Sequence, residues 1–405
     1  MILRLLITLL LLALPSAVMS QSPGTVVVDA VSGIPLRKAS VFDCNGKFIG
    51  LSSDKGVMPS VPESAYPLLV RYVGYEPVTV RRPGGSRVMM HESVSELPEV
   101  VVSSASPKAL HILAYVRENS MLTTYRDTVE LFREKMVDFM LPAAGVRNFT
   151  GWTAPRILSS RSYYHFRDDA GLDSVSDAFP SHFSWSDWVG VARRIPVPQA
   201  LRDTDNATDT VRGRWSATRV WRRAGGRIYL DADIMADMSN RQLVPHIAGF
   251  ISNDEIDFRR LDVRYVFDNC DDDEVTADNL SAMSFNIESR GRGRRNERVS
   301  RSRGPEYVDT YAELYVIDKE YIPIKEARKW DNFSMRENGS MILVPDGLPQ
   351  LPASTLALIA RVENIDTVEI RLKTEIDPRI GRLKVIKWDI LSRLKRMARG
   401  FVGLE

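Results

Sequence analysis

The 405-residue sequence is poor in the side chains that form disulfides or bind metals. It contains only two cysteines, Cys44 and Cys270, which we place in separate domains. Two such residues do not form the disulfide framework of a small secreted protein, and only their even number supports a bond between them. We therefore expect two free thiols, with a single disulfide as the alternative.

The histidines are few and far apart: they are His91, His111, His165, His182 and His246. A zinc exopeptidase needs two imidazoles and a carboxylate around one metal, and its H-x-x-E pair occurs at none of them. His91-Glu92 begins like a zinc-protease motif, but Ser95 stands where the second histidine is required. The nearest approach to a zinc pair is His165-x-x-Asp168, which lies in a segment that we expect to be a strand.

Other catalytic and cofactor motifs are also missing. The sequence has no G-x-S-x-G elbow, P-loop or C-x-x-C pair, and Gly291-Arg292-Gly293 lacks the third glycine of a dinucleotide loop. Asp268 to Glu274 lacks the glycine and the distal glutamate of a calcium loop and is typical of an acidic turn. We therefore predict no catalytic, cofactor-binding or metal-binding residues. The alternative is a hydrolase whose site in the second domain follows no known motif.

Neither sign of charge predominates, and only one apolar run is long. The 54 basic and 52 acidic side chains give no electrostatic basis for binding nucleic acid. Arg4, the apolar run Leu5 to Leu14 and the small residues that follow are typical of a signal peptide, for which an uncleaved helix is the alternative. We expect residues 1–20 to be removed between Ser20 and Gln21, and the protein to be exported to the periplasm or to associate with the outer membrane.

The sequence after the signal is rich in short strand patterns separated by turn residues. Asn45-Gly46 lies between the segments Lys38 to Cys44 and Lys47 to Ser53 and predicts a hairpin. In Leu68 to Val73 both alternating sets of side chains are largely apolar, as in an inner strand of a small sandwich. Gly74 can adopt the bend or positive φ that ends this strand, and Tyr75 can cover the end of the core while its hydroxyl stays in water.

These patterns carry a family resemblance over about 80 residues. The matching positions, in the order of the family's motifs, are Gly24, Val26, Val28-Asp29, Ser32-Gly33, Pro35-Leu36, Ala39, Val41, Ser53-Asp54, Gly56, Leu69, Arg71, Tyr72-Val73-Gly74-Tyr75, Leu97, Glu99 and Val100-Val101-Val102. The segment resembles the carboxypeptidase-like regulatory domain of exported Bacteroidetes proteins. Two positions depart from the family pattern: Val57-Met58 replaces an aromatic residue, and Arg71 stands where serine is common. The resemblance implies a seven-stranded, transthyretin-like β-sandwich with a packing or docking role, over residues 21–103, and no peptidase zinc ligands.

A change of pattern predicts the domain boundary. Strand patterning stops after Val102, and Ser106-Pro107 suits the start of a helix. Lys108 to Asn119 is then interpreted as a short helix, and Thr128 to Leu141 as a longer one with an apolar stripe at helical spacing. We place the second domain at residues 104–405.

Three segments of this domain alternate cleanly between apolar and polar residues: 228–234, 261–268 and 283–288. They predict an α+β domain built on a large antiparallel sheet. We pair the first segment with Trp215 to Arg222 across Ala224-Gly225-Gly226. Because one face of each strand is apolar and the other charged, we expect helices to cover one side of the sheet. A small outer-membrane barrel is the alternative that alternation also allows.

The remaining segments suggest surfaces rather than sites. Residues 290–304 form a cationic, low-complexity insert, for which we expect a disordered loop, with binding of acidic polysaccharide or lipid phosphate as the alternative. We expect a helix at Ala353 to Glu363 and a basic amphipathic helix from about Lys387, which either packs on the sheet or lies on a membrane surface. Together these features predict a non-enzymatic envelope protein that binds an envelope protein or a glycan.

Overall fold

A computed structural model of the chain describes residues 24–44, 48–84, 87–93, 108–143, 146, 148–178, 183–202, 204, 206–213, 217–244, 246–251, 256–270, 273–291, 305–331 and 342–365. Two compact units result: the first ends at Val94 and includes Pro352–Ser354, and the second contains the remainder of the chain. The predicted signal peptide, the boundary at residues 103/104 and the terminal helix concern residues outside these ranges and stay predictions.

The first unit is built from short strands in two sheets. Its strands in the part that the structure describes are β1 (Val26–Asp29), β2 (Ser40–Phe42), β3 (Phe48–Leu51), β4 (Leu68–Arg71), β5 (Val78–Val80) and β6 (Arg87–Met90). β1 pairs with β6 in parallel, and the other four form an antiparallel sheet in the order β3-β2-β4-β5. The hairpin predicted around Asn45-Gly46 is the pair β2–β3. A 3₁₀ turn lies at Glu63–Ala65.

The end of strand β4 has the predicted backbone but not the predicted hydroxyl environment. Gly74 has a φ of 83°, a conformation that residues with a Cβ resist. Tyr75 is 3% exposed, so its ring does close the core. Its hydroxyl donates to Oδ2 of Asp29 at 2.5 Å instead of reaching water. The expectation of a wet hydroxyl was wrong because a buried carboxylate lies within reach.

The second unit contains twelve of the described strands. They are β7 (Lys108–Thr123), β8 (Asp127–Pro142), β9 (Trp152–Asp168), β10 (Asp173–Ser176), β11 (Arg194–Pro196), β12 (Thr208–Arg212), β13 (Ala217–Ala224), β14 (Arg227–Asp233), β15 (Ile256–Phe267), β16 (Glu274–Thr276), β17 (Leu280–Gly291) and β18 (Glu306–Pro323). Ten of them form one antiparallel sheet in the order β10-β9-β8-β7-β18-β17-β15-β14-β13-β12, and β11 pairs with β16. The large antiparallel sheet and the β13–β14 hairpin are as predicted. Arg290 and Gly291, assigned to the insert, instead end β17.

The described helices are short. They are α1 (Ala248–Ile251), α2 (Ile324–Asp331) and α3 (Ala353–Glu363), with 3₁₀ turns at Trp185–Asp187, Gln199–Leu201 and Met238–Leu243. Helix α3 has the predicted bounds. Among the described residues no helix combines the length and the apolar character that crossing a bilayer requires.

The two helices predicted between Lys108 and Leu141 were wrong: both segments are strands, β7 and β8. Both strands are buried on both faces, so apolar side chains occur at odd and even positions alike. A strand of that kind produces apolar residues three or four apart by coincidence, which imitates the helical period. Tertiary burial therefore decides the structure here.

One face of the ten-stranded sheet is covered by an apolar core. Even-numbered residues of β7, such as Ile112 and Val116, and odd-numbered residues of β8, such as Leu131 and Phe139, point into this core. The cover consists of the segments 183–201 and 243–247, in which 3₁₀ turns and the short strand β11 take the place of the helices that we predicted. Pro196 and Pro198 lie in the first of these segments and remove the backbone donors that a helix needs.

The two longer helices, α2 and α3, lie on the other face, which the alternation predicted to be solvated, whereas the four-residue α1 packs against the apolar core through Phe250 and Ile251. In α2, Ala327 packs with Ala109, Met140 and Ile322. In α3, Val362 packs with Phe132 and Tyr163. The prediction of a charged, open face was wrong, because much of this face is buried although it is polar.

Candidate ligand-binding face

The polar face of the ten-stranded sheet carries a ladder of alternating charges. Strand register places residues of neighbouring strands side by side across β14, β15, β17, β18, β7 and β8, in the order Asp231, Arg264, Ser284, Glu313, Arg117, Glu134. Arg264 Nε lies 2.5 Å from an Asp231 oxygen, and Arg117 Nε lies 2.8 Å from a Glu313 oxygen. All four of these side chains are buried. Each charge therefore has an opposite charge in place of water.

Hydroxyl and backbone groups complete the centre of this ladder. Glu313 accepts hydrogen bonds from the hydroxyls of Tyr311 at 2.7 Å and Tyr315 at 3.0 Å. Arg117 also donates to the backbone oxygen of Pro349 at 2.8 Å. Burial alone would lower the pKa of Arg117, but the charge of Glu313 outweighs that effect and raises it, so the guanidinium stays charged. The centre of the face is a closed network with its hydrogen bonds made.

The next rows toward one end of the strands are not closed in this way. Asn286 lies between Asp262 and Tyr311, and Asp309 lies beside Glu288. The Asn286 side chain is only 3% exposed, yet neither its amide nitrogen nor its amide oxygen has a hydrogen-bond partner among the described residues. One oxygen of Asp309, Oδ1, also lacks a partner there. Such groups are uncommon in a folded interior and call for a ligand or water.

Acidic groups predominate around Asn286. Arg260 is the basic side chain among them, 4.0 Å from an oxygen of Asp262 and 4.0 Å from one of Glu288. Burial, and then the charge of Glu288, raise the pKa of Asp309 to about 6, while Arg260 opposes the shift. Carboxylates and an amide that share one face can accept hydrogen bonds from hydroxyl or amine groups, and the amide nitrogen can donate one. The arrangement suits the binding of a polar molecule.

A second polar cluster lies on the same face, next to helix α2. Both ring nitrogens of His111 contact carboxylates, Nε2 at 3.0 Å from Asp138 and Nδ1 at 3.2 Å from Glu320. Burial alone would lower the pKa of His111, but the hydrogen bonds to these carboxylates outweigh it and raise the pKa. Contact of both ring nitrogens with carboxylates favours the protonated imidazole and leaves neither nitrogen free to act as a base. The ring lies against Trp330 with centroids 5.2 Å apart, so the cluster fixes α2.

The other histidines are not brought together. His165 lies in β9, as predicted, and contacts Glu130 and Asp173, whereas His246 contacts the hydroxyl of Thr153. His91 is exposed in the first unit, and His182 lies outside the described residues. No two of the described histidines share a partner. No group of three or more His, Cys, Asp or Glu side chains placed to hold a metal ion is found in the described ranges. Neither Cys44 nor Cys270 forms a disulfide in the part of the chain that the structure describes.

Sequence reasoning missed Asn286, Asp309 and the whole ladder. Asp231, Arg264 and Asn286 were interpreted as the polar side of alternating strands, Arg117 was assigned to a helix, and Asp309 was assigned to no strand. Strand register, which places these residues side by side, is not visible in one sequence. The signal that was present is chemical: asparagine and paired acids occur at alternate positions of the strands β15, β17 and β18. That signal alone does not distinguish a buried polar face from a surface.

Comparison with known proteins adds a weak likeness. No family model matches the chain, and no curated protein matches it significantly. A solved structure described as lipid–protein interactions in lipovitellin aligns with 54% of this chain and 26% of its own, at 8% identity and a TM-score of 0.25. The chain thus spans about a quarter of that protein, and a likeness of this size carries no argument about fold or function.

Proposed function

We propose that the chain is an exported, non-enzymatic protein of the cell envelope, which acts in binding or assembly at the periplasm or the outer membrane. The signal-like start of the sequence supports export. The polar face of the ten-stranded sheet supports binding, because its unsatisfied groups suit a polar ligand. Within this proposal the face around Asn286 is the ligand site, and the first unit is a docking module.

The module assignment follows the resemblance of residues 21–103 to the carboxypeptidase-like regulatory domain. Two features of the structure support it: the positive φ of Gly74 and the burial of Tyr75 at the end of β4. We propose that the complete module is a seven-stranded sandwich, of which six strands are described. Its role would be to pack or dock, because the resemblance implies no catalytic residues.

The observation that carries the binding proposal is the unsatisfied amide of Asn286. A buried polar group without a partner costs about 1–3 kcal/mol of folding free energy, and an apolar side chain of similar size would avoid that cost. Residues that break a rule of folding in this way are expected at functional sites. The chemistry of a glycan suits the site, because its hydroxyl groups donate to the carboxylates and both donate to and accept from an amide.

The test compares glycan binding with stability. We would probe the purified protein with a glycan array and with isolated peptidoglycan, using wild type, Asn286→Leu and the control Asn364→Leu, whose amide is exposed at the end of α3. Asn286→Leu is expected to weaken binding at least tenfold, about 1.4 kcal/mol, while the melting temperature stays equal or rises. The control is expected to bind as wild type does. Binding that survives Asn286→Leu, or no glycan binding by wild type, would contradict this site.

Export has a separate test. The protein isolated from its natural envelope is expected to begin at Gln21, which N-terminal peptide mapping would show. Recovery of a peptide that retains Met1 would contradict the signal-peptide assignment and leave the binding site untouched.

A further inference from the structure

The apolar face of the ten-stranded sheet contains a small island of charge. Glu118 on β7 and Lys135 on β8 are both 0% exposed, and Arg133 on β8 is buried as well. The register places Arg133 directly opposite Glu118, with Lys135 two residues further along β8 on the same face, opposite Val116. Asp187, from the 3₁₀ turn that covers this part of the sheet, completes the group. Two cations and two carboxylates thus meet within an otherwise apolar core.

The lysine is held against two carboxylates at once. Its Nζ contacts Oδ1 of Asp187 and lies 3.4 Å from Oε2 of Glu118. The hydroxyl of Ser186 is 2.5 Å from the same nitrogen, and that of Ser184 donates to Oε2 of Glu118 at 3.0 Å. An amine, an electrophilic carboxyl group and a second carboxylate therefore occupy one water-poor site.

We propose that Lys135 and Asp187 become joined by an intramolecular isopeptide bond. The Lys135 amine forms a bond to Cγ of Asp187, one carboxylate oxygen leaves as water, and an amide replaces the ion pair. No oxidant or other co-reactant is required, because the ammonium and the carboxylate together contain all the atoms of the amide and the water. The reaction is a condensation, with no change in oxidation state.

The neighbouring charges have defined roles in this step. Glu118 lies within reach to take a first proton from the Lys135 ammonium, which makes the amine a nucleophile, and a second from the same nitrogen after the C–N bond forms. It passes both protons to the leaving oxygen, which departs as water. Oε1 of Glu118 accepts no hydrogen bond among the described residues and lies 4.0 Å from Arg133, so the carboxyl group has room to hold a proton. Arg133 Nη1 lies 3.2 Å from both oxygens of Asp187, where it stabilises the negative charge of the tetrahedral intermediate.

Charge balance also favours the product. Condensation removes one positive and one negative charge from the core and leaves Arg133 with Glu118, so the site stays neutral. It replaces a fully buried ammonium, which is expensive to desolvate, by a neutral amide. Low water content shifts the condensation toward the amide, because water is its other product.

The bond would tie the cover of the core to the sheet. Lys135 and Asp187 are 52 residues apart in sequence, and Asp187 belongs to the segment 183–201 that covers the apolar face. A covalent link there limits the separation of this segment from β8 in the unfolded chain, as a disulfide would. The free cysteines of the chain form no such link.

Mass spectrometry of the denatured protein tests the proposal. The bond removes one water, so a mass about 18 Da below that of the sequence is expected, together with a trypsin-resistant linkage between peptides 134–147 and 168–193. The linked peptides decide the question, since cyclisation of an N-terminal glutamine shifts the intact mass by a similar amount. Wild type whose two peptides are recovered only separately would overturn the proposal.

Variants assign the roles. Glu118→Gln and Lys135→Arg are expected to abolish the linked peptide, whereas Glu313→Gln, a buried carboxylate on the opposite face, should retain it. If Glu118→Gln fails to fold, the variant Asp187→Asn provides a second test, because Asp187 is partly exposed and its substitution disturbs the core less. An asparagine can still react with the lysine amine by loss of ammonia, so the same linked peptide is expected from it. A linked peptide that persists in Lys135→Arg would place the bond elsewhere and overturn the assignment.

Discussion

The two faces of the ten-stranded sheet are formed by the same strands, but one face carries mainly apolar side chains and the other mainly polar ones. On one face β7 presents Ile112, Ala114 and Val116, and on the other it presents His111, Tyr115 and Arg117. All six of these side chains are buried. The comparison shows that alternation along a strand does not by itself indicate which face meets water, because a polar face can be buried when its charges are paired across the strands.

The exceptions on each face are as informative as the rule. The apolar face has a charged island around Lys135, and the polar face has an unsatisfied amide at Asn286. Each exception departs from what its surroundings favour, and each is the centre of one of our two proposals. The two faces are therefore stabilised differently, but on each face we expect function at the group that departs from its surroundings.

The largest effect is expected from breaking the charge ladder. Glu313→Ala removes the carboxylate that accepts hydrogen bonds from Arg117 and from two tyrosine hydroxyls. Because the charge of Arg117 then stays buried without a counter-charge, the free energy of unfolding should fall by about 3–5 kcal/mol. Denaturant titration measures the change. The double variant Arg117→Met, Glu313→Met should recover most of the loss. A single-variant loss under about 1 kcal/mol would show that water reaches this face.

A cavity on the apolar face should cost somewhat less. Leu131→Ala is expected to destabilise by about 3 kcal/mol, from lost burial and an unfilled space. Leu356→Ala, at a side chain that is 51% exposed, serves as the matched control and should stay within about 0.5 kcal/mol. Equal effects of the two substitutions would mean that the apolar face is not closely packed.

A change of opposite sign is expected at Asp309. Its folded pKa of about 6 lies above the ordinary aspartate value of about 3.9, so its contribution to stability is present at low pH and is lost as pH rises through this window. Asp309→Asn should therefore stabilise the protein by about 2 kcal/mol at pH 8 and hardly at all at pH 4. Paired denaturant titrations at the two pH values measure it. Destabilisation at pH 8 would show that the aspartate is ionised without cost.

The smallest effect is expected where the polar face reaches its exposed edge. The hydrogen bond to Glu130 raises the pKa of His165, while burial opposes it and Asp173 adds to it. A raised histidine pKa contributes stability below the unfolded value of about 6.5 and loses it as pH rises through the folded one. His165→Gln should cost under about 1 kcal/mol at pH 5 and nothing at pH 9, because its partners are solvated. If His165→Gln lowered the free energy of unfolding as much as Glu313→Ala, the centre and the edge of the polar face would not differ in their contribution to stability.

Local sequence patterns predicted those parts of the fold that depend only on residues near one another in the sequence. The clean alternation of 228–234, 261–268 and 283–288 predicted β14, β15 and β17, and the helix expected at Ala353 to Glu363 is α3. The positive φ of Gly74 followed from a glycine at the end of a strand. Each of these signals lies within a few residues of the feature that it predicts.

The parts that failed depend on contacts between distant residues. Strands β7 and β8 were interpreted as helices because burial on both faces hides the two-residue period. The ladder and the site at Asn286 require the register of β15, β17 and β18, and the island at Lys135 requires the placement of Asp187, 52 residues away. No pattern within a short window contains that information.

The order of strands in the sheet has a consequence for how the chain folds. The strands β7 to β10 lie side by side in the order of the sequence. The strands β12, β13, β14, β15, β17 and β18 do the same in the other half of the sheet. The exception is the pairing of β7 with β18 in the middle, where Arg117 meets Glu313 across 196 residues of sequence. Local hairpins form early and distant pairings late, because long loops must close first. The two halves can therefore form as separate meanders, and their union, which assembles the ladder, waits until β18 is available.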